Sequence, residues 1–167
     1  TTGAGKSVAV KTMLDTLRDR GDKAVLADSG GEFLARYARP GDAIINPFDE
    51  RCANWSPLAE MVGPWDANAI AASLIPEGGK DSEKEWNRYG QQFLSGVLLR
   101  LWEQGGTNGD LVRLATITPL DDLRDLLDGL PAVALLAKHN EKMFASVRGI
   151  VGSRLGMFPY LSAEAGK

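Results

Sequence analysis

At 167 residues the chain has room for one domain, or for a small domain with part of another. A hydrophobic fraction of 44% and a charged fraction of 25% are ordinary for a globular protein, and a net charge of -3 excludes a uniformly basic nucleic-acid binder while leaving a local basic surface open. The single cysteine, Cys52, excludes an internal disulfide and reads as a structural or surface thiol, and no apolar run approaches the ~18 residues of a membrane-spanning helix.

The chain opens on Thr1-Thr2-Gly3-Ala4-Gly5-Lys6-Ser7. This is the phosphate-binding pattern of Gly, four free positions, Gly, Lys and then Ser or Thr, short of its first glycine. That glycine is expected immediately before Thr1, and the chain is expected to be an excerpt of a longer protein. Glycines let a backbone take left-handed conformations and approach phosphate oxygens closely. Successive amides and the positive end of the following helix then hold the anion. On this reading Thr1, Thr2, Gly3, Ala4, Gly5, Lys6 and Ser7 bind ATP, with Lys6 reaching the β- and γ-phosphates and Ser7 offering its hydroxyl to Mg2+.

A helix over 7–20 follows, with Val10, Met13, Leu14 and Leu17 at helical spacing and Gly21 as its stop. Residues 23–28, Lys-Ala-Val-Leu-Ala-Asp, suit a buried parallel strand with Asp28 at its carboxyl end. In open α/β sheets that end faces the ligand crevice. Asp28 is therefore either close to the nucleotide or a turn and cap residue ahead of Ser29-Gly30-Gly31. Residues 32–37 predict one or two helical turns, and 42–46 a second strand ended by Pro47. Asp49 and Glu50 come after Asn46-Pro47-Phe48, in a turn, so they are not the acids that hold a magnesium-bound water at a strand end. No catalytic residue is assigned, and the catalytic acid is expected beyond Lys167.

From Trp55 the pattern turns helical. Asp66 caps a helix to Leu74, and Ser82 with Glu85 forms a capping-box pair for a long helix to about Glu103. Trp86, Tyr89, Phe93, Val97, Leu98 and Leu101 make its apolar stripe, which reads as core. A short helix spans 111–115, and Thr118-Pro119 starts another. There Leu120, Leu123, Leu126 and Leu127 face the core and Asp121, Asp122, Asp125 and Asp128 form a solvated face. Residues 133–138 predict a helix, and Asn140 begins the last strong one. Lys138, Lys142, Arg148 and Arg154, offset only by Glu141, make this the most basic stretch. These four are candidate DNA contacts, or else the polar face of an amphipathic helix. His139 among them reads as a surface residue.

Several stretches agree with one family. The phosphate loop, Gly21-Asp22-Lys23-Ala24-Val25, Asp28-Ser29-Gly30-Gly31-Glu32-Phe33, Asn46-Pro47-Phe48-Asp49 and Trp55-Ser56-Pro57 resemble the nucleotide-binding domain of type IV secretion coupling proteins of the TraD/TrwB type. Leu74-Ile75-Pro76, the Trp86 helix and Met143-Phe144-Ala145-Ser146-Val147-Arg148 are similar to the all-helical domain inserted into that ATPase. Where the family has Asp-Pro-Ser-Gly-Glu-Phe this chain has Asp28-Ser29-Gly30-Gly31-Glu32-Phe33, a more flexible turn with the acids kept. The resemblance implies an α/β fold class: a partial RecA-like P-loop NTPase segment at 1–54 followed by an inserted all-α domain at 55–167. It also implies a homo-hexameric motor of the FtsK/HerA-like superfamily on the cytoplasmic face of the bacterial inner membrane. Such a motor uses ATP and Mg2+ to deliver single-stranded DNA with its relaxase, from the relaxosome, to the type IV secretion channel. Three alternatives stand beside it: a non-catalytic helical module that binds DNA or the relaxosome, another FtsK/HerA-like DNA translocase, and a small-molecule kinase.

Overall fold

The structure, a computed structural model, describes residues 5–161. The chain divides into two compact units, Thr1–Ala43 and Ile44–Lys167. It is nearly all helical, with 61% of residues in helix and 1% in strand, which overturns the expected α/β class. Among the described residues there is no β-sheet.

The reason lies in how the two elements satisfy their backbones. A helix closes its hydrogen bonds within its own segment, whereas a strand needs a neighbour. Residues 23–28 form no strand and meet no partner strand among the described residues, and Val25 and Leu26 are exposed. Residues 42–46 form only one isolated parallel bridge, Ile44 to Cys52, with the Ala53 N–H donating to the Ile44 carbonyl at 2.7 Å.

The first unit holds two helices. α1 spans Lys6–Arg20. It ends in a Schellman turn: Gly21, at φ 74°, donates to the Arg18 carbonyl and Asp22 donates to the Leu17 carbonyl. Leu14 is its one buried residue, while Met13, assigned to the same apolar face from the sequence, is exposed. α2 spans Glu32–Tyr37, the stretch read as helical turns.

The second unit is built on α4 (Asp81–Gln104), with α3 (Asp66–Leu74), α5 (Asn108–Thr116) and α7 (Glu141–Arg154) packed against it. α6 (Leu120–Leu126) and 3-10 turns at Pro131–Leu136, Lys138–Asn140 and Phe158–Tyr160 complete it. The helix expected at 133–138 is thus two 3-10 turns, broken where Ala137 is extended at ψ 143°. The stripe read from the sequence is the core: Phe93, Val97, Leu98 and Leu101 are buried, and Trp86 and Tyr89 half-buried. Phe93 meets Phe144 of α7 edge to face, centroids 4.8 Å apart. Gly96 lets α4 approach the Pro131–Leu136 turn, since a Cβ there would lie 2.9 Å from the Ala132 Cβ. The start of α4 is earlier than the Ser82–Glu85 pair suggested. Glu83, in the first turn, accepts the Lys80 N–H at 3.1 Å, and Glu85 instead accepts the Tyr89 hydroxyl at 2.8 Å. No described helix is long and apolar enough to cross a membrane.

Candidate nucleotide and nucleic-acid sites

Thr1, Thr2, Gly3 and Ala4 of the predicted phosphate loop lie outside the described residues. Its closing residues are described. Gly5 sits at φ 71°, in the left-handed region the motif requires, and its carbonyl accepts the Ala9 N–H at 3.0 Å. Lys6 and Ser7 are the first two residues of α1, and both are exposed. Among the described residues no side chain caps this helix, and its first turn carries no acid. Its leading amides therefore keep their capacity for an external acceptor, and an ammonium and a hydroxyl stand beside them. That donor set fits a nucleotide phosphate and its Mg2+.

Asp28 is engaged within its own unit. Its Oδ2 accepts the Phe33 and Leu34 N–H groups, each at 2.8 Å, at the start of α2. Those bonds, led by Leu34, hold its pKa below the ordinary carboxylate value against a smaller upward push from burial. Gly31, at φ 72°, makes the turn that brings carboxylate and amides together. Next to it Glu32 pairs with the Lys11 ammonium of α1, and the Tyr37 hydroxyl donates to the Lys11 carbonyl at 3.2 Å. The reading of the sequence missed Lys11 and Tyr37, because positions 26 residues apart carry no local signal of contact. Asp49, set aside as a catalytic acid, lies in a turn. The Arg51 guanidinium and N–H hold its carboxyl down to about 2.

The four candidate DNA contacts are not equivalent. Lys138, Lys142 and Arg154 are exposed and in no ion pair among the described residues, and His139 is exposed beside them. Glu141, the acid in their midst, accepts from the Arg124 guanidinium at 3.4 Å. Lys138 and Lys142 lie at the amino end of α7, while Arg154 ends it, about 18 Å along the axis from Lys142. Arg148 turns inward. Its Nη2 donates to the Thr118 carbonyl at 2.6 Å, its guanidinium lies 5.3 Å from the Phe144 ring centroid, and its Nε is buried without a partner. Burial pushes its pKa down from the ordinary arginine value. Asp121, Asp122, Asp125 and Asp128 are exposed, and Asp121 pairs with Arg124.

The described residues thus place exposed cations on the helical unit and a left-handed glycine ahead of α1. The chain belongs to the type IV secretion-system coupling protein DNA-binding domain family, which it matches over residues 1–167. It is 32% identical over 163 residues to coupling protein TraD of Escherichia coli (strain K12), covering 96% of this chain and 23% of that protein. Among solved structures it is similar to the unbound monoclinic form of the bacterial conjugative coupling protein TrwBdeltaN70, at TM-score 0.89 and 32% identity. It is likewise similar to plasmid coupling protein TrwB in complex with ADP and Mg2+, at TM-score 0.88 and 33% identity. In both cases 98% of this chain covers 40% of the solved one. The chain therefore spans less than half the length of these relatives. The family resemblance read from the motifs is borne out.

Proposed function

We propose that the helical unit grips single-stranded DNA within a conjugative coupling protein, and that Lys138, Lys142 and Arg154 bind its phosphates. The observation that carries this reading is the match of the whole chain to a coupling-protein DNA-binding domain. The exposed cations of 138–154 give that match a chemistry. Arg148 is left out of this group because its guanidinium is held by Thr118. Each lysine or arginine that neutralises a phosphate displaces a counterion, so such binding weakens with salt. The test is fluorescence anisotropy with short single strands over a series of salt concentrations. Lys138→Glu with Lys142→Glu is expected to weaken binding and flatten the salt slope by about 0.7 for each phosphate no longer neutralised. An unchanged slope would remove these lysines from the interface. The same assay with relaxosome proteins as competitors reads out the relaxase-bound form of the cargo.

A second reading concerns the amino-terminal part, which we assign to residues 1–54, with the helical domain at 55–167. TrwB is known in complex with ADP and Mg2+. In this chain the open amides of α1, the left-handed Gly5 and the exposed Lys6 and Ser7 support the same ligand class. ATP, when bound, supplies the free energy for moving DNA toward a secretion channel, in a hexameric ring at the cytoplasmic face of the inner membrane. Thr1 to Gly5 offer amides, Lys6 places a positive charge on the phosphates and Ser7 orients the metal. Asp28 acts through the start of α2. Lys6→Ala in the intact coupling protein is expected to abolish ATP hydrolysis while circular dichroism of the helical unit stays unchanged. Undiminished turnover would rule the nucleotide reading out.

A further inference from the structure

We propose that Asp28, Glu32 and Tyr37 are positioning residues that hold α1, and with it Lys6 and Ser7, in the orientation that grips a nucleotide phosphate. The proposal rests on the nucleotide reading given above. Asp28 sets where α2 begins, by accepting both the Phe33 and Leu34 N–H groups at 2.8 Å. From that fixed start α2 reaches α1 twice. Glu32, its first residue, pairs with the Lys11 ammonium, and Tyr37, its last, donates to the Lys11 carbonyl at 3.2 Å. Lys11 is thus held by side chain and backbone at once, so a roll or a slide of α1 must break one of these two bonds.

The held face is the one that matters for the ligand. Ser7, Lys11 and Leu14 fall at i, i+4 and i+7 and so share one face of α1. Leu14 is the buried residue of that helix. A roll of α1 released at Lys11 would move Ser7 and Lys6 together, away from where they would hold a phosphate and its Mg2+. The Asp-x-x-Gly-Glu-Phe stretch then has a physical role for each part: the acid caps, the left-handed glycine turns the chain, and the glutamate clamps.

The test is charge reversal in the intact coupling protein, with N-methylanthraniloyl-ADP and Mg2+ as the titrated probe. Lys11→Glu and Glu32→Lys are each expected to weaken binding about three- to fivefold, the scale of a partly exposed ion pair. The double variant, Lys11→Glu with Glu32→Lys, is expected to recover most of that loss. With ATP, the loss is expected in kcat/KM. Tyr37→Phe, which removes only the hydroxyl, is expected to weaken binding about twofold. If both reversals bind as wild type, or the double variant recovers nothing, while Lys6→Ala abolishes binding, the positioning role is overturned and the nucleotide reading survives. If Lys6→Ala also binds as wild type, both are overturned.

Discussion

The two units order their helices by different means. In the helical unit α4 is ordered by burial: Phe93, Leu94, Val97 and Leu98 are fully buried in one core cluster with Phe144, Val147 and Val151 of α7. In the amino-terminal unit α1 buries Leu14 alone among its described residues, and its order comes from its ends and from Lys11, through the Gly21 turn, the Glu32 pair and the Tyr37 hydroxyl. A buried aromatic stabilises by several kcal/mol, whereas an exposed pair or cap contributes about 1 kcal/mol or less. The helical unit therefore has the internal means to stay folded. The amino-terminal unit rests on fewer buried contacts, which places it at the low end of local stability.

The largest effect that would break this contrast is loss of the aromatic pair at the centre of the helical unit. Phe144→Ala removes the ring that Phe93 and the Arg148 guanidinium both touch, and is expected to cost about 3–5 kcal/mol in chemical denaturation. Gly96→Val comes next. Its Cβ would meet the Ala132 Cβ at 2.9 Å, and overpacking of this kind costs about 1–3 kcal/mol in the same measurement. Arg148→Met separates structure from binding. It strands the buried Thr118 carbonyl for about 1–3 kcal/mol of stability while leaving DNA affinity as it was, the inverse of the two-lysine reversal.

The smallest effect lies in the amino-terminal unit. Asp28 has a folded-state pKa below its unfolded one, so the stabilisation it gives is present above the ordinary carboxylate range and fades as pH falls through the folded value. Hydrogen exchange at the Phe33 and Leu34 amides reads this directly. Asp28→Ala is expected to speed exchange at both amides near neutral pH and to leave the amides of α4 untouched.

Much of the helical unit was legible because its signals are local. The apolar spacing along α4 predicted the buried face, and the span of α3 followed from Asp66 and the periodic residues after it. In the structure the Asp66 carboxylate accepts the Val62 and Gly63 N–H groups at 2.8 and 3.0 Å, fixing that start. The onset of α4 was less legible, because Glu83 and Glu85 both offer a capping carboxylate and only the loop before the helix selects the first. The two runs read as strands had the composition of strands, but composition cannot supply a neighbour to pair with. Among the candidate DNA contacts, Arg148 looked the same as Arg154 in the sequence. One points at a carbonyl 30 residues away and the other at solvent.

By itself, then, the sequence determined the apolar repeat of the long helices, the stop of α1 at Gly21, and which family the chain belongs to. These are properties of neighbouring residues, set by backbone sterics and by hydrogen bonds a few positions apart. Only the tertiary structure decided that residues 23–28 find no partner strand among the described residues, that Arg148 leaves the basic surface, and that Lys11, Glu32 and Tyr37 meet. Each of those depends on a partner many residues away, and pairings of that kind arise only once the chain has folded back on itself.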